Sequence, residues 1–146
     1  MSILVTDAGF HPDDWTGGFV PAARLADRPW AVGLGVDLAA DADPAPLVPH
    51  FPAIALIRIR LPHFAARDGF ALAGRLRGLG FAGRLRAEGH VLADQYTLAR
   101  RTGFDEVEIS AALALRQPEE HWRFLGNWRH DAFRSRLSPR LPGGVP

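Results

Sequence analysis

Between Ile54 and Ser110 the chain repeats one arrangement: short apolar runs alternate with helical-period segments, and glycines close most of them. The runs read IALIRIRLPHF, RDGFALAGRLRGLGF, GRLRAEGH, VLADQYTLARRTGF and DEVEIS. Repetition of this kind leads to strands joined by crossover helices, and so to an α/β domain. About four parallel strands are expected, in an open receiver- or flavodoxin-like sheet or in a half-barrel, with an N-terminal hairpin or edge strand beside them. At 146 residues the length fits one domain, which buries roughly two-thirds of its extended-chain surface. Residues 1–29 read as an N-terminal appendage, 30–134 as the α/β core and 135–146 as a loose tail.

In chain order, Ile3-Leu4-Val5 is a strand candidate followed by an Asp7-Ala8-Gly9 turn. Pro21 to Pro29 connects, and Trp30 to Val36 gives the first parallel strand. Gly33 and Gly35 there suggest a dinucleotide loop, but no third glycine opens a helix, so strand packing accounts for them better. A short helix is expected near Pro44 to His50. Pro52 to Leu61 is the clearest strand, with Ile54, Leu56, Arg58 and Arg60 on one face and Ala55, Ile57, Ile59 and Leu61 on the other. Asp68 caps a helix with Leu72, Leu76 and Leu79 on one stripe. Gly83 to Gly89 is a strand, Val91 to Thr102 a helix, and Phe104 to Ser110 the fourth strand. A last helix begins near Pro118, with Trp122, Leu125 and Trp128 spaced as a core stripe and Phe124 and Phe133 nearby.

Composition narrows the chemistry. The chain has no cysteine, which excludes disulfides, thiol chemistry and Cys-ligated clusters or zinc. All 17 basic residues are arginine, so no lysine is available for a Schiff base or a P-loop. The net charge of +1, with interspersed signs, gives no reason to expect nucleic acid. Neither a signal peptide nor a membrane span is expected, and the protein is expected to be cytoplasmic. No histidine pair has helical zinc spacing, no metal site is expected, and no residue pattern calls for a cofactor.

Ligands favour the crevice beyond the carboxyl ends of parallel strands. Arg58, Arg60 and Arg86 converge there as candidate anion-binding groups, with the start of the 91–102 helix adding partial positive charge. Glu88, His90 and Asp94 are the candidate catalytic groups, and His63 could meet His90 at the same edge. Alternatively, the arginines pair internally with Asp68, Glu88, Asp94 or Glu106. A receiver-like segment, Leu61-Pro62 followed by Asp68-Gly69-Phe70, lacks the phosphate-accepting aspartate, because Arg58 stands at the strand end. A sheet of four strands is small, and self-association as a homodimer would complete it.

The blocks LPHFAARDGFALAGRLR and GRLRAEGHVLADQYTLARRTGFDEVEI, with the early DDW, resemble a bacterial family of unknown function. Its members are labelled oxidoreductases of sulfite reduction because their genes lie beside a sulfite reductase hemoprotein. The matching positions include Pro62, Gly69, Phe70, Arg77, Arg86, Gly89, Asp94, Gln95, Arg101 and Gly103. The resemblance implies a role in sulfite assimilation. With no redox-carrier fingerprint in the chain, that role is expected to be accessory: docking on sulfite reductase, or holding a sulfur oxyanion between the arginines. The enzymatic alternative places turnover of a small anionic substrate at Arg86, Glu88, His90 and Asp94.

Overall fold

The computed structural model describes residues 2–28, 31–62 and 66–125. Among these residues, seven strands form one sheet: β1 (Ser2–Thr6), β2 (Gly9–Pro12), β3 (Val20–Pro21), β4 (Leu34–Ala39), β5 (Ile54–Leu61), β6 (Arg84–Gly89) and β7 (Glu106–Ser110), in the order β2-β1-β7-β6-β5-β4-β3. From β3 to β7 neighbouring strands pair in parallel. The hairpin β1–β2 adds to the far edge, antiparallel to β7. This run follows chain order without reversal, so it has no switch point of the kind that defines a receiver- or flavodoxin-like sheet. Its order is that of the half-barrel alternative. Beside the expected N-terminal hairpin, five strands rather than about four pair in parallel, the added one being the two-residue β3. The argument for a second copy, which rested on a small sheet, therefore falls away.

Alternation along the strands sorts the two faces. Val36, Leu38, Ile57, Ile59, Leu61, Leu85, Ala87, Val107 and Ile109 join one buried cluster with residues of the helices. These are α1 (Ala66–Gly78), α2 (Tyr96–Thr102), α3 (Ala111–Arg116) and α4 (Glu119–Leu125). Gly69 lets α1 come close to β5, because a Cβ there would lie 2.0 Å from Leu61 Cδ2. Trp122 is fully buried, edge-on to Tyr96 and Phe10. The rest of the aromatic stripe lies outside the described side chains, as does the tail at 135–146.

Several boundaries differ from expectation. Trp30 lies outside the described residues, and the first long parallel strand begins at Leu34, just after Gly33 turns the chain at φ +68. The connection expected from Pro21 opens on the end of the two-residue strand Val20–Pro21 and continues as a 3-10 turn at Ala22–Asp27. Proline recurs through Ala45–Ala53, which is 3-10 rather than a regular helix. Leu79 falls past the end of α1 and is exposed, while Phe70 and Ala73 complete the buried stripe. Residues 2–12 are part of the sheet, with Leu4 and Val5 buried. No helix among the described residues is long and apolar enough to cross a membrane.

Candidate functional site

The second face of the sheet carries charge. Registers place Asp37 beside Arg58, Arg58 beside Arg86, and Arg86 beside Glu106. In the next row come Ala39, Arg60, Glu88, Glu108 and Leu4. The sequence motifs Arg-Ile-Arg, Arg-Leu-Arg and Glu-Val-Glu generate this, because a period of two sends each pair of like charges to one side. Arg58 and Arg86 stand next to each other with like charge, which is unfavourable by itself. Glu108 resolves it by accepting from both, at 3.3 Å from Arg58 Nη1 and 2.9 Å from Arg86 Nη1. Arg58 also forks onto Asp37 at 2.7 and 3.0 Å, and Arg86 Nε donates to Glu106 at 2.5 Å. Arg60 donates to Glu88 at 2.7 Å.

Arg86 is fully buried, and Glu106 and Glu108 nearly so. Burial alone would lower the Arg86 pKa. The carboxylates of Glu106, Glu108 and Asp13 more than offset it, so the net direction is upward. Arg58 and Arg84 behave likewise, desolvation being outweighed by Asp37 with Glu108 and by Glu106 with Asp14, respectively.

Residues 13–19 cross this face as a strap. Asp13 contacts Arg86 Nη1 at 3.3 Å, and Asp14 accepts from Arg84 Nη2 at 2.5 Å. The Arg84 hydrogen bond, more than any other influence, holds the Asp14 carboxyl below its ordinary pKa. Arg58 lies 3.7 Å from the centre of the Phe19 ring. Trp15 donates from its indole to Gly18 O at 2.7 Å and rests above Gly35. A Cβ on Gly35 would meet Gly18 O at 2.6 Å and the Trp15 ring at 2.8 Å. Gly35 is therefore the seat of the strap, which gives strand packing at this glycine a concrete form.

A separate crevice of about 570 Å³ opens at the carboxyl ends of β4, β5 and β6. Arg60, Glu88, His90, Asp41 and Asp68 line it. The expected site residues are thus divided. Arg60, Glu88 and His90 share the crevice, whereas Arg58 and Arg86 lie one step down the strands within the ion-pair network. Asp94 is exposed and is not among the lining residues. His63 lies outside the described residues. At the helix start two donors are already engaged: Leu92 N–H donates to the Gln95 side chain at 2.9 Å and Ala93 N–H to that of Gln117 at 2.6 Å.

Of the internal partners expected for the arginines, Glu88 and Glu106 are used. Asp37, Glu108, Asp13 and Asp14 went unnoticed in the sequence. The Glu-Val-Glu alternation was the available signal for Glu108. No local signal could bring Asp13 to Arg86, 73 positions away. Among the described residues, no group of three or more His, Asp or Glu could hold a metal ion.

Residues 35–135 match the model of the family described as bacterial protein of unknown function (DUF934). The chain belongs to this family. No curated protein and no solved structure matches it. The DUF934 match includes β4 to β7, the charged rows and the crevice, and begins at Gly35, beyond the strap.

Proposed function

We propose that this DUF934 protein is a non-catalytic accessory of assimilatory sulfite reduction that docks on the sulfite reductase hemoprotein. The pathway comes from the family resemblance. The accessory role is supported by one observation: Arg58, Arg60 and Arg86, the guanidiniums best placed to grip an anionic substrate, are each bonded to sheet carboxylates. Guanidiniums held by carboxylates of the sheet itself suit a fixed scaffold better than a catalytic site that must reorganise with each turnover. The test is co-elution of the purified chain with sulfite reductase hemoprotein in size-exclusion chromatography at micromolar concentration. A shared peak supports docking; separate peaks, with no response in a surface-binding assay, refute it.

A second reading, catalysis on a small anion, is favoured by the convergence of Arg60, Glu88 and His90 on one crevice. In that case Arg60 orients the anion and Glu88 or His90 moves the proton. A visible cofactor spectrum in purified protein, or turnover abolished by Glu88→Gln with unfolding unchanged, would decide for it.

A further inference from the structure

The acids that meet Arg84 and Arg86 are of two kinds. Glu106 and Glu108 belong to the sheet, with side chains only 5% and 7% exposed. Asp13 and Asp14 belong to the strap and are 31% and 65% exposed. The first pair is built in; the second is laid on from outside. Within the sheet, Arg58, Arg60, Arg84 and Arg86 are already matched one for one by Asp37, Glu88, Glu106 and Glu108. The strap therefore adds two negative charges beyond what the face needs, the charge of one dianion.

The fit of these two carboxylates is incomplete. Arg86 Nη2 is buried and is the one such side-chain atom without a hydrogen-bond partner among the described residues; Asp14 Oδ1 is 3.9 Å away. Buried donors are seldom left unpaired. A single tetrahedral oxyanion offers several acceptor oxygens from one centre, and can meet Arg84 Nη2 with Arg86 Nη1 and Nη2 together. A cleft of about 660 Å³ beside the strap reaches Arg84, with Asp13, Asp14, Glu106, Thr6 and His11 also lining it; Arg86 is fully buried and is reached only as the strap lifts.

We propose that Arg84 and Arg86 form a binding site for a small divalent oxyanion, and that Asp13 and Asp14 occupy it in the strap-closed form as built-in competitors. Anion entry lifts the strap from its Gly35 seat. This site is distinct from the crevice at the strand ends and does not depend on docking to a reductase.

The experiment uses the isolated full chain, with sulfate and inorganic phosphate as probes and chloride at equal ionic strength as control. Calorimetry reads affinity, and the ¹⁵N-labelled indole signal of Trp15, assigned with Trp15→Phe, reads strap position. Sulfate or phosphate should shift that signal where chloride does not. Asp13→Asn with Asp14→Asn should tighten binding at least about tenfold by removing the competitors. Gly35→Ala should act in the same direction while leaving every charge in place, and serves if the double variant does not fold. Arg84→Gln should abolish the response in protein whose unfolding transition remains cooperative. Equal shifts with chloride, or no binding to either strap-lifted variant, would overturn the site.

Discussion

The two faces of this sheet are made from the same strands yet are held by different physics. On the helix side, Ile57, Ile59, Leu85, Ala87, Val107 and Ile109 meet apolar side chains from α1, α2 and α4. Their stabilisation scales with area removed from water and does not depend on direction. On the strap side, Arg86, Glu106 and Glu108 are buried as deeply, but each is held only through named partners. An apolar face can lose one member and keep the value of the others. A charged face that loses one member strands its neighbours, because a buried ion without its counter-ion is costly. Equal burial thus hides unequal tolerance.

The largest expected effect tests that inequality. Arg86→Ala leaves Glu106 and Glu108 buried with less countercharge and should cost about 3–5 kcal/mol in urea unfolding. Replacing the set together, as Arg86→Met with Glu106→Leu and Glu108→Leu, should recover most of the loss, since apolar substitutes for a buried ionic group are often neutral or better. A triple variant as unstable as the single one would break the contrast. Leu85→Ala, on the opposite side of the same strand, should cost about 3 kcal/mol through lost burial and a cavity. That cost should hardly change between low and high salt.

Smaller effects sharpen the picture at the margins. Tyr96 donates to Asp7 at 2.6 Å, and burial, aided by that carboxylate, pushes its pKa upward. The folded state therefore holds the phenol proton more tightly than the unfolded chain does. Its contribution is complete below the unfolded pKa of about 10 and is lost as pH rises beyond it. With one tyrosine, no lysine and no cysteine, this alkaline loss is almost a single-residue readout. Tyr96→Phe should cost about 1 kcal/mol at neutral pH and flatten the decline above pH ~10 in pH-dependent unfolding.

The smallest change is expected of Asp14→Asn. Its carboxylate is mostly exposed, so removing the charge should cost less than about 1 kcal/mol. Because its folded pKa is depressed, the pairing is present above the ordinary value of 3.8 and is lost as pH falls through the lowered one. The Trp15 indole signal should therefore stay constant from neutral pH to about 5 and change only in stronger acid. A shift near neutral pH would show that something other than Asp14 holds the strap.

Much of this was legible in the chain. The alternation in IALIRIRL, GRLRAEG and DEVEIS located three parallel strands and placed Arg58, Arg60 and Arg86 on one side. Glycine punctuation gave the ends of α1 and α2. What escaped was long-range. Strand order is set by how successive crossovers stack, and no local pattern distinguishes an order that reverses from one that does not. Asp37 was hidden because the strand was expected to stop at Val36, one residue before it. The strap was hidden because Asp13-Asp14-Trp15 has no periodicity, and its partners lie some 70 positions downstream. Leu92 shows the limit of local spacing: it stands four residues before Tyr96, yet a 3-10 turn at Ala93–Gln95 intervenes and Leu92 is exposed.

The margins of the sheet carry a further implication. One border is the two-residue β3 and the other is the four-residue β2, and both strands finish on proline. Short borders with proline offer a foreign strand little unpaired main chain to zip onto. Recruitment by strand addition is thus disfavoured from either side. Among the described residues, what is left for a partner to read is side chains, on the strap, the rim or the outer surfaces of the helices.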